Sequence, residues 1–243
     1  MKNDPKTKNL RNYFCPKLET FSEQLPHTRH ALSQPDGLLA FGGSLEVEEI
    51  LANYKRGAFP WFTEDQPVIW WSPSRRLCLF PQNLKIKRSL RKKVNNTKYS
   101  IKINKDFEQV IDKCSSIKDR LNNTWITSRI KQAYIRLYKS GHAYSVECWK
   151  GTQMVGGLYG VSIGRIFFGE SMFALEADAS KLALVALCTN NIFPRYHLID
   201  CQIESEHLKS LGADLILRSD FEQRLTRYCL EQPEIIPINS EIR

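Results

Sequence analysis

Residues 143–172 read AYSVECWKGTQMVGGLYGVSIGRIFFGESM, and this run decides the fold class. Ala143 to Trp149, Gln153 to Tyr159 and Arg165 to Met172 are rich in β-branched and aromatic residues. Lys150-Gly151-Thr152 separates the first run from the second, and a glycine-containing link separates the second from the third. Short β-rich runs joined by such turn residues predict an antiparallel meander.

The period changes on both sides of the meander. Upstream, Phe107, Val110, Ile111 and Cys114 follow a helical spacing, and Ile130, Ala133, Tyr134 and Leu137 follow a Thr127 or Ser128 cap and stop before Gly141. Downstream, the pattern predicts a helix from Ser180 to about Ile192, a strand from Tyr196 to Ile203 and a helix from Glu204 to Leu211 ended by Gly212. A strand from Leu215 to Leu217 and a helix from Ser219 to Leu230 follow. Two helices, three antiparallel strands and then α-β-α-β form the order of an acyltransferase-type α+β sheet, assigned to residues 76–243. Residues 1–75 are rich in turn signals and predict a small N-terminal domain. Its clearest element is a helix from Ser44 to Tyr54 with Ser44 as N-cap and Gly57 just past its end.

The 243 residues carry 35 Lys+Arg against 26 Asp+Glu, a net charge of +9, with 42% hydrophobic residues, which excludes a disordered or fibrous chain. The excess is local. Lys85, Lys87, Arg88, Arg91, Lys92, Lys93, Lys98, Lys102 and Lys105 occupy 21 residues without one acidic side chain, and removing them leaves 26 basic against 26 acidic. Leu84, Ile86, Leu90 and Val94 alternate with these cations, which predicts one packed face and one face presented to a polyanion, nucleic acid before membrane. Phe59, Trp61, Phe62, Trp70 and Trp71 lie just upstream and Trp125 downstream. Most serve the core, but one or two could stack an unpaired base. Seven cysteines at 15, 78, 114, 148, 188, 201 and 229 lack any C-x-x-C spacing, so reduced thiols and no metal are expected. Met1 to Arg11 has no apolar core of a signal peptide and no run approaches membrane-span length, so a cytoplasmic location is expected.

On the strand Leu198-Ile199-Asp200-Cys201-Gln202, alternation sends Asp200 and Gln202 to one face and Ile199 and Cys201 to the other. Glu170 ends the apolar run Ile166-Phe167-Phe168. Polar groups on apolar strands need partners, so a functional site and a structural Asp are comparable readings. Gly169-Glu170-Ser171-Met172-Phe173 is not a nucleophile elbow, since position 173 is Phe and no helix follows. Gly156-Gly157-Leu158-Tyr159-Gly160 lies inside the meander and points to a bulge or a close backbone approach. His27 and His30 read as solvated.

Several blocks occur in order: Pro35-Asp36-Gly37, Phe41-Gly42-Gly43, Phe59-Pro60-Trp61-Phe62, Trp70-Trp71-Ser72-Pro73, Thr124-Trp125-Ile126-Thr127, Val155-Gly156-Gly157, Phe168-Gly169-Glu170-Ser171 and Ile199-Asp200-Cys201-Gln202. From about Leu25 to Leu225 the chain resembles the bacterial leucyl/phenylalanyl-tRNA–protein transferases. The resemblance implies a C-terminal domain like the Gcn5-related acetyltransferases. It also implies transfer of Leu or Phe, less readily Met, from aminoacyl-tRNA to the α-amino group of proteins starting with Arg or Lys, marking them for N-end rule degradation. By matching position, Trp61, Phe167, Met172, Phe173, Leu184 and Ile199 would line the apolar aminoacyl pocket. Trp125 and Tyr54 would meet the terminal adenosine, Lys87, Arg88, Arg91, Lys92 and Lys93 the acceptor stem. Asp200, Gln202 and Glu170 would form the polar catalytic site, with no cofactor or metal. Asp200 would remove or orient the amine proton through Gln202. Departures from the family pattern fall at Ser74-Arg75-Arg76, at Tyr138 and Tyr144, and over Ser116 to Asn123.

Two other classes fit parts of the chain. An acyl-CoA-dependent acetyltransferase would need a glycine-rich turn where Ala174 to Ser180 has none. A non-catalytic RNA-binding module would leave Glu170, Asp200 and Gln202 without a purpose.

Overall fold

A computed structural model describes residues 16–18, 25–116, 124–231 and 241–242. The expectations for Met1–Arg11, Cys15 and most of the Ser116–Asn123 segment lie outside these residues. In chain order the elements begin with β1 (Lys17–Leu18), β2 (Leu38–Gly42), α1 (Val47–Lys55), β3 (Phe59–Pro60), β4 (Ile69–Trp71) and β5 (Arg75–Leu79). They continue with α2 (Arg88–Val94), β6 (Tyr99–Ile103), α3 (Phe107–Ser116), α4 (Ser128–Lys139), β7 (Ala143–Lys150), β8 (Gln153–Ile163) and β9 (Ile166–Ala174). The remainder is α5 (Ala179–Thr189), β10 (Leu198–Gln202), α6 (Glu206–Lys209), β11 (Asp214–Leu217), α7 (Arg218–Tyr228) and β12 (Glu241–Ile242).

Strands β1-β2-β4-β3 form a small sheet, and the large sheet runs β11-β5-β10-β9-β8-β7-β6-β12. The meander is present as β7, β8 and β9, and among the described strands of the large sheet only β9 and β10 pair in parallel. Alternation along the strands divides two apolar layers. One holds Tyr54, Trp70, Phe107, Tyr134, Phe168 and Phe221, and the other holds Leu77, Leu79, Phe167, Leu184 and Ile199 against α5. Residues of the first 75 therefore share a core with α3, α4 and α7.

Helices α3 and α4 bury the apolar positions expected of them, and Thr127 caps α4 through a bond from the Ile130 amide. Other boundaries move. Helix α1 begins at Val47, because Ser44 turns its amide and hydroxyl to the Glu49 carboxylate instead of capping the helix. The helix predicted from Ser180 stops at Thr189, the strand at 196–203 contracts to 198–202, and the helix predicted at 204–211 shortens to four residues. Strands β5 and β6 were not expected, since each lies in or beside a run of basic residues. Val94, expected on the packed side of α2, is 43% exposed, whereas Leu90 is buried.

Glycine sets two close approaches. A Cβ on Gly156 would lie 2.5 Å from that of Ala179, so glycine lets α5 rest on β8, and a Cβ on Gly160 would lie 2.2 Å from the Phe168 carbonyl oxygen. The pairing of β8 with β9 shifts at that second point: Tyr159 faces Ser171 and Gly160 faces Gly169, leaving Glu170 as an extra residue. A second shift between β5 and β10 leaves Cys201 extra, between Asp200 opposite Cys78 and Gln202 opposite Leu77. Such bulges re-aim side chains.

Candidate active site

Both bulges turn polar side chains to the layer that holds α1 and α4. Glu170 lies there under two phenols: Tyr54 from α1 donates to one carboxylate oxygen at 2.6 Å and Tyr134 from α4 to the other at 2.8 Å. The two hydroxyls are 2.5 Å apart. Gln202, with its backbone at φ +65, donates its side-chain amide to Glu170 at 3.2 Å. Burial pushes the Glu170 carboxyl up to about 7 from its ordinary 4.5, bonds from Tyr54, Tyr134 and Gln202 pull it back, and the nearby Asp200 charge raises it. Burial, and then the Glu170 charge, raise both phenols well above 10, so they remain donors.

Asp200 lies fully buried beside this group. Arg76 of β5 meets it with two bonds, Nε to Oδ1 at 2.8 Å and Nη2 to Oδ2 at 2.7 Å, and the Gln202 backbone N–H donates to Oδ1 at 2.9 Å. The guanidinium lies between the rings of Phe59 and Phe221, 4.5 and 4.7 Å from their centroids, and donates to the Gly57 carbonyl. Burial alone would lower the Arg76 pKa, and the Asp200 carboxylate more than offsets it. Arg76 was not among the residues expected at the site, yet alternation in Arg75-Arg76-Leu77-Cys78-Leu79 already separates Arg76 and Cys78 from the two leucines. The nearby thiols of Cys78 and Cys201 are pushed up by burial, so neither is a ready nucleophile. Among the described residues no three His, Cys, Asp or Glu side chains are grouped to hold a metal ion, and no helix is long and apolar enough to cross a membrane.

Residues 78–226 match the family model described as leucyl/phenylalanyl-tRNA protein transferase, and residues 43–74 match that of its N-terminal domain. The leucyl/phenylalanyl-tRNA–protein transferase of Hydrogenovibrio crunogenus is 49% identical over 201 residues, 82% of this chain and 78% of that protein. Those of Aromatoleum aromaticum and Pseudomonas syringae pv. syringae are 46% and 43% identical. They cover 86% and 87% of this chain, and 88% and 92% of their own. This chain belongs to the leucyl/phenylalanyl-tRNA–protein transferase family.

In this family member the residues expected at the aminoacyl pocket fall in two places. Phe167, Leu184 and Ile199 are buried together against α5 with Met172 at their margin, whereas Phe173 is buried in the opposite layer, where Trp61 also packs. Trp61 lies 5.5 Å from Trp71, and Trp125 is partly buried at the approach to α4. Tyr54 is fully buried, its hydroxyl engaged by Tyr134 and Glu170, and offers no exposed face to an adenosine. Of the basic helix, Lys87, Arg88, Arg91 and Lys92 are exposed. Lys93 reaches the turn before α5, bonding the Ala177 carbonyl at 2.7 Å and Asp178 at 2.9 Å. Among the departures, Tyr138 stacks on Phe107 at 4.5 Å, Tyr144 bonds the Gly141 carbonyl, and Ser74 is held by Asp36.

Proposed function

We propose that this chain transfers Leu or Phe, and less readily Met, from aminoacyl-tRNA to the α-amino group of proteins beginning with Arg or Lys. It would do so on a Gcn5-related acetyltransferase-like sheet. Membership in the family carries the reading, and the buried Glu170–Gln202–Asp200 group supports it. An aminoacyl ester is already activated, so the protein's task is to align amine and ester and to move one proton. Phe167, Met172, Leu184 and Ile199, with Trp61 and Phe173, are assigned to the aminoacyl side chain. Discrimination among apolar side chains there is worth about 1–3 kcal/mol. Trp125 is assigned to the terminal adenosine, with Tyr54 acting through Glu170. Lys87, Arg88, Arg91 and Lys92 are assigned to acceptor-stem phosphates, and Lys93 to the same helix through its tether.

The turn before α5 supports this reading over an acyl-CoA enzyme. Asp178 adopts φ +69 and pairs with Lys93 and Lys181, which puts a carboxylate where a pyrophosphate would need bare amides. The test is transfer of Phe from charged tRNA to a peptide starting with Arg, with an Ala-starting peptide as control. Transfer to both peptides alike, or to neither, overturns the proposal.

A further inference from the structure

Tyr54, Tyr134 and Glu170 make three oxygen–oxygen contacts of 2.5, 2.6 and 2.8 Å, and each needs one proton between its oxygens. The two phenols supply two protons. With Glu170 ionised, both phenols donate to its carboxylate, and the 2.5 Å Tyr54–Tyr134 contact sets lone pair against lone pair. One added proton completes the set. A Glu170 O–H donates to Tyr134, Tyr134 donates to Tyr54, and Tyr54 donates to the other Glu170 oxygen, closing a ring in which every contact holds one hydrogen.

We propose that Glu170, held in this ring with Tyr54 and Tyr134, is the group that accepts the proton of the attacking amine, and that Asp200 is a positioning residue. The proposal rests on the reaction stated above. The donors to Glu170 are the neutral hydroxyls of Tyr54 and Tyr134 and the Gln202 side-chain amide, whereas Asp200 is fully enclosed, paired with the Arg76 guanidinium through two bonds and bonded by the Gln202 backbone amide. Its work is to fix the Gln202 bulge, which aims the Gln202 amide at Glu170. Glu170 retains 7% exposure, and burial holds its carboxyl at about 7, near the ~7.7–8.0 of an α-amino group, the match that favours proton exchange. The amine nitrogen attacks the ester carbonyl, the C–N bond forms and the C–O bond to the ribose breaks. The amine proton passes to Glu170, and Glu170 returns a proton to the departing ribose oxygen. No other reactant is needed.

The groups that face Glu170 are Tyr54 on α1, Tyr134 on α4, Gln202 and Asp200 on β10, Arg76 on β5 through Asp200, and Tyr159 on β8 beside Tyr134. Two measurements on the full chain test the proposal. In infrared difference titration against Glu170→Gln, the wild type should show a protonated-carboxyl band that disappears as the pH rises through about 7. A Glu170 already ionised well below that pH overturns the ring. In single-turnover transfer from Phe-tRNA to an Arg-starting peptide, Glu170→Gln should lower the rate by ~100-fold or more. Asp200→Asn removes a charge that raises Glu170, so it should slow the rate and keep an acid limb, shifted to lower pH, and Tyr134→Phe, which opens the ring, should move that limb. Near-wild-type transfer by Glu170→Gln, an acid limb that vanishes with Asp200→Asn, or a limb that Tyr134→Phe leaves in place assigns the proton elsewhere. A wild type that transfers nothing sinks the reaction itself, while the infrared titration still reads the ring.

Discussion

Arg76 and Asp200, 124 residues apart in sequence, form a two-bond ion pair at 2.8 and 2.7 Å, with the side chains 1% and 0% exposed. A pair so enclosed has no water to replace a lost partner, so its two halves are far more costly to remove singly than together.

Arg76→Met should therefore lower the unfolding free energy by about 3–5 kcal/mol in urea titration, while the double variant Arg76→Met/Asp200→Leu should recover most of that loss. Arg76→Lys should not rescue, since an ammonium cannot reproduce the two-pronged contact. Equal losses in the single and double variants would show that the pair is not a closed unit.

Glu170 links stability to pH in the opposite direction from an ordinary salt-bridged carboxylate. Its folded pKa of about 7 exceeds the ordinary 4.5, so between those values the folded chain binds more protons than the unfolded one. Stability conferred on the fold by this proton is complete below pH 4.5 and is lost as pH rises toward about 7. Subtracting the unfolding free energy of Glu170→Gln cancels the other titrating groups, and the difference should fall by about 3 kcal/mol across that window. A flat difference would mean that Glu170 is ionised throughout.

Lys92 and Lys93 are neighbours with different expected behaviour. Lys92→Ala should raise the Michaelis constant for aminoacyl-tRNA and reduce the slope of log affinity against log salt by about 1. Lys93→Ala breaks a partly exposed pair with Asp178, so it should cost less than about 1 kcal/mol of stability and change the salt slope less. Identical salt slopes would place both ammonium groups on phosphate.

Gly160→Ala forces a Cβ to within 2.2 Å of the Phe168 carbonyl, one residue from the Glu170 bulge. Loss of about 2 kcal/mol or more is expected in thermal unfolding, with transfer activity falling further than stability explains. A variant as active as the wild type would show that the bulge tolerates realignment.

The sequence was most legible where one apolar period ran undisturbed. Helices α3 and α4 bury the predicted side chains, because packing on one face alone writes a period into neighbouring residues, while β7 to β9, buried on both faces, were marked by β-branched and aromatic runs between turn residues. Strand β6, Tyr99-Ser100-Ile101-Lys102-Ile103, alternates too, but its lysine lies inside a run of cations and reads as solvated surface. Strand β5 opens on Arg75-Arg76, and its partners β10 and β11 come more than a hundred residues later, so nothing local marks Arg76 as buried. Glu170, Asp200 and Gln202 were visible as polar residues in apolar strands. The bulges that turn them were not, because one unpaired residue has no periodic signature until the neighbouring strand is in place.

The guanidinium of Arg76 lies between Phe59, near the start of the chain, and Phe221, near its end. During synthesis the ribosome releases Asp200 before Phe221, so a nascent chain stalled between them already carries Arg76, Asp200, Gln202 and Glu170 but lacks one wall of the Arg76 slot. The Arg76–Asp200 pair is thus enclosed only when α7 has docked. A truncated product would carry those four residues and still be unable to hold the pair dry.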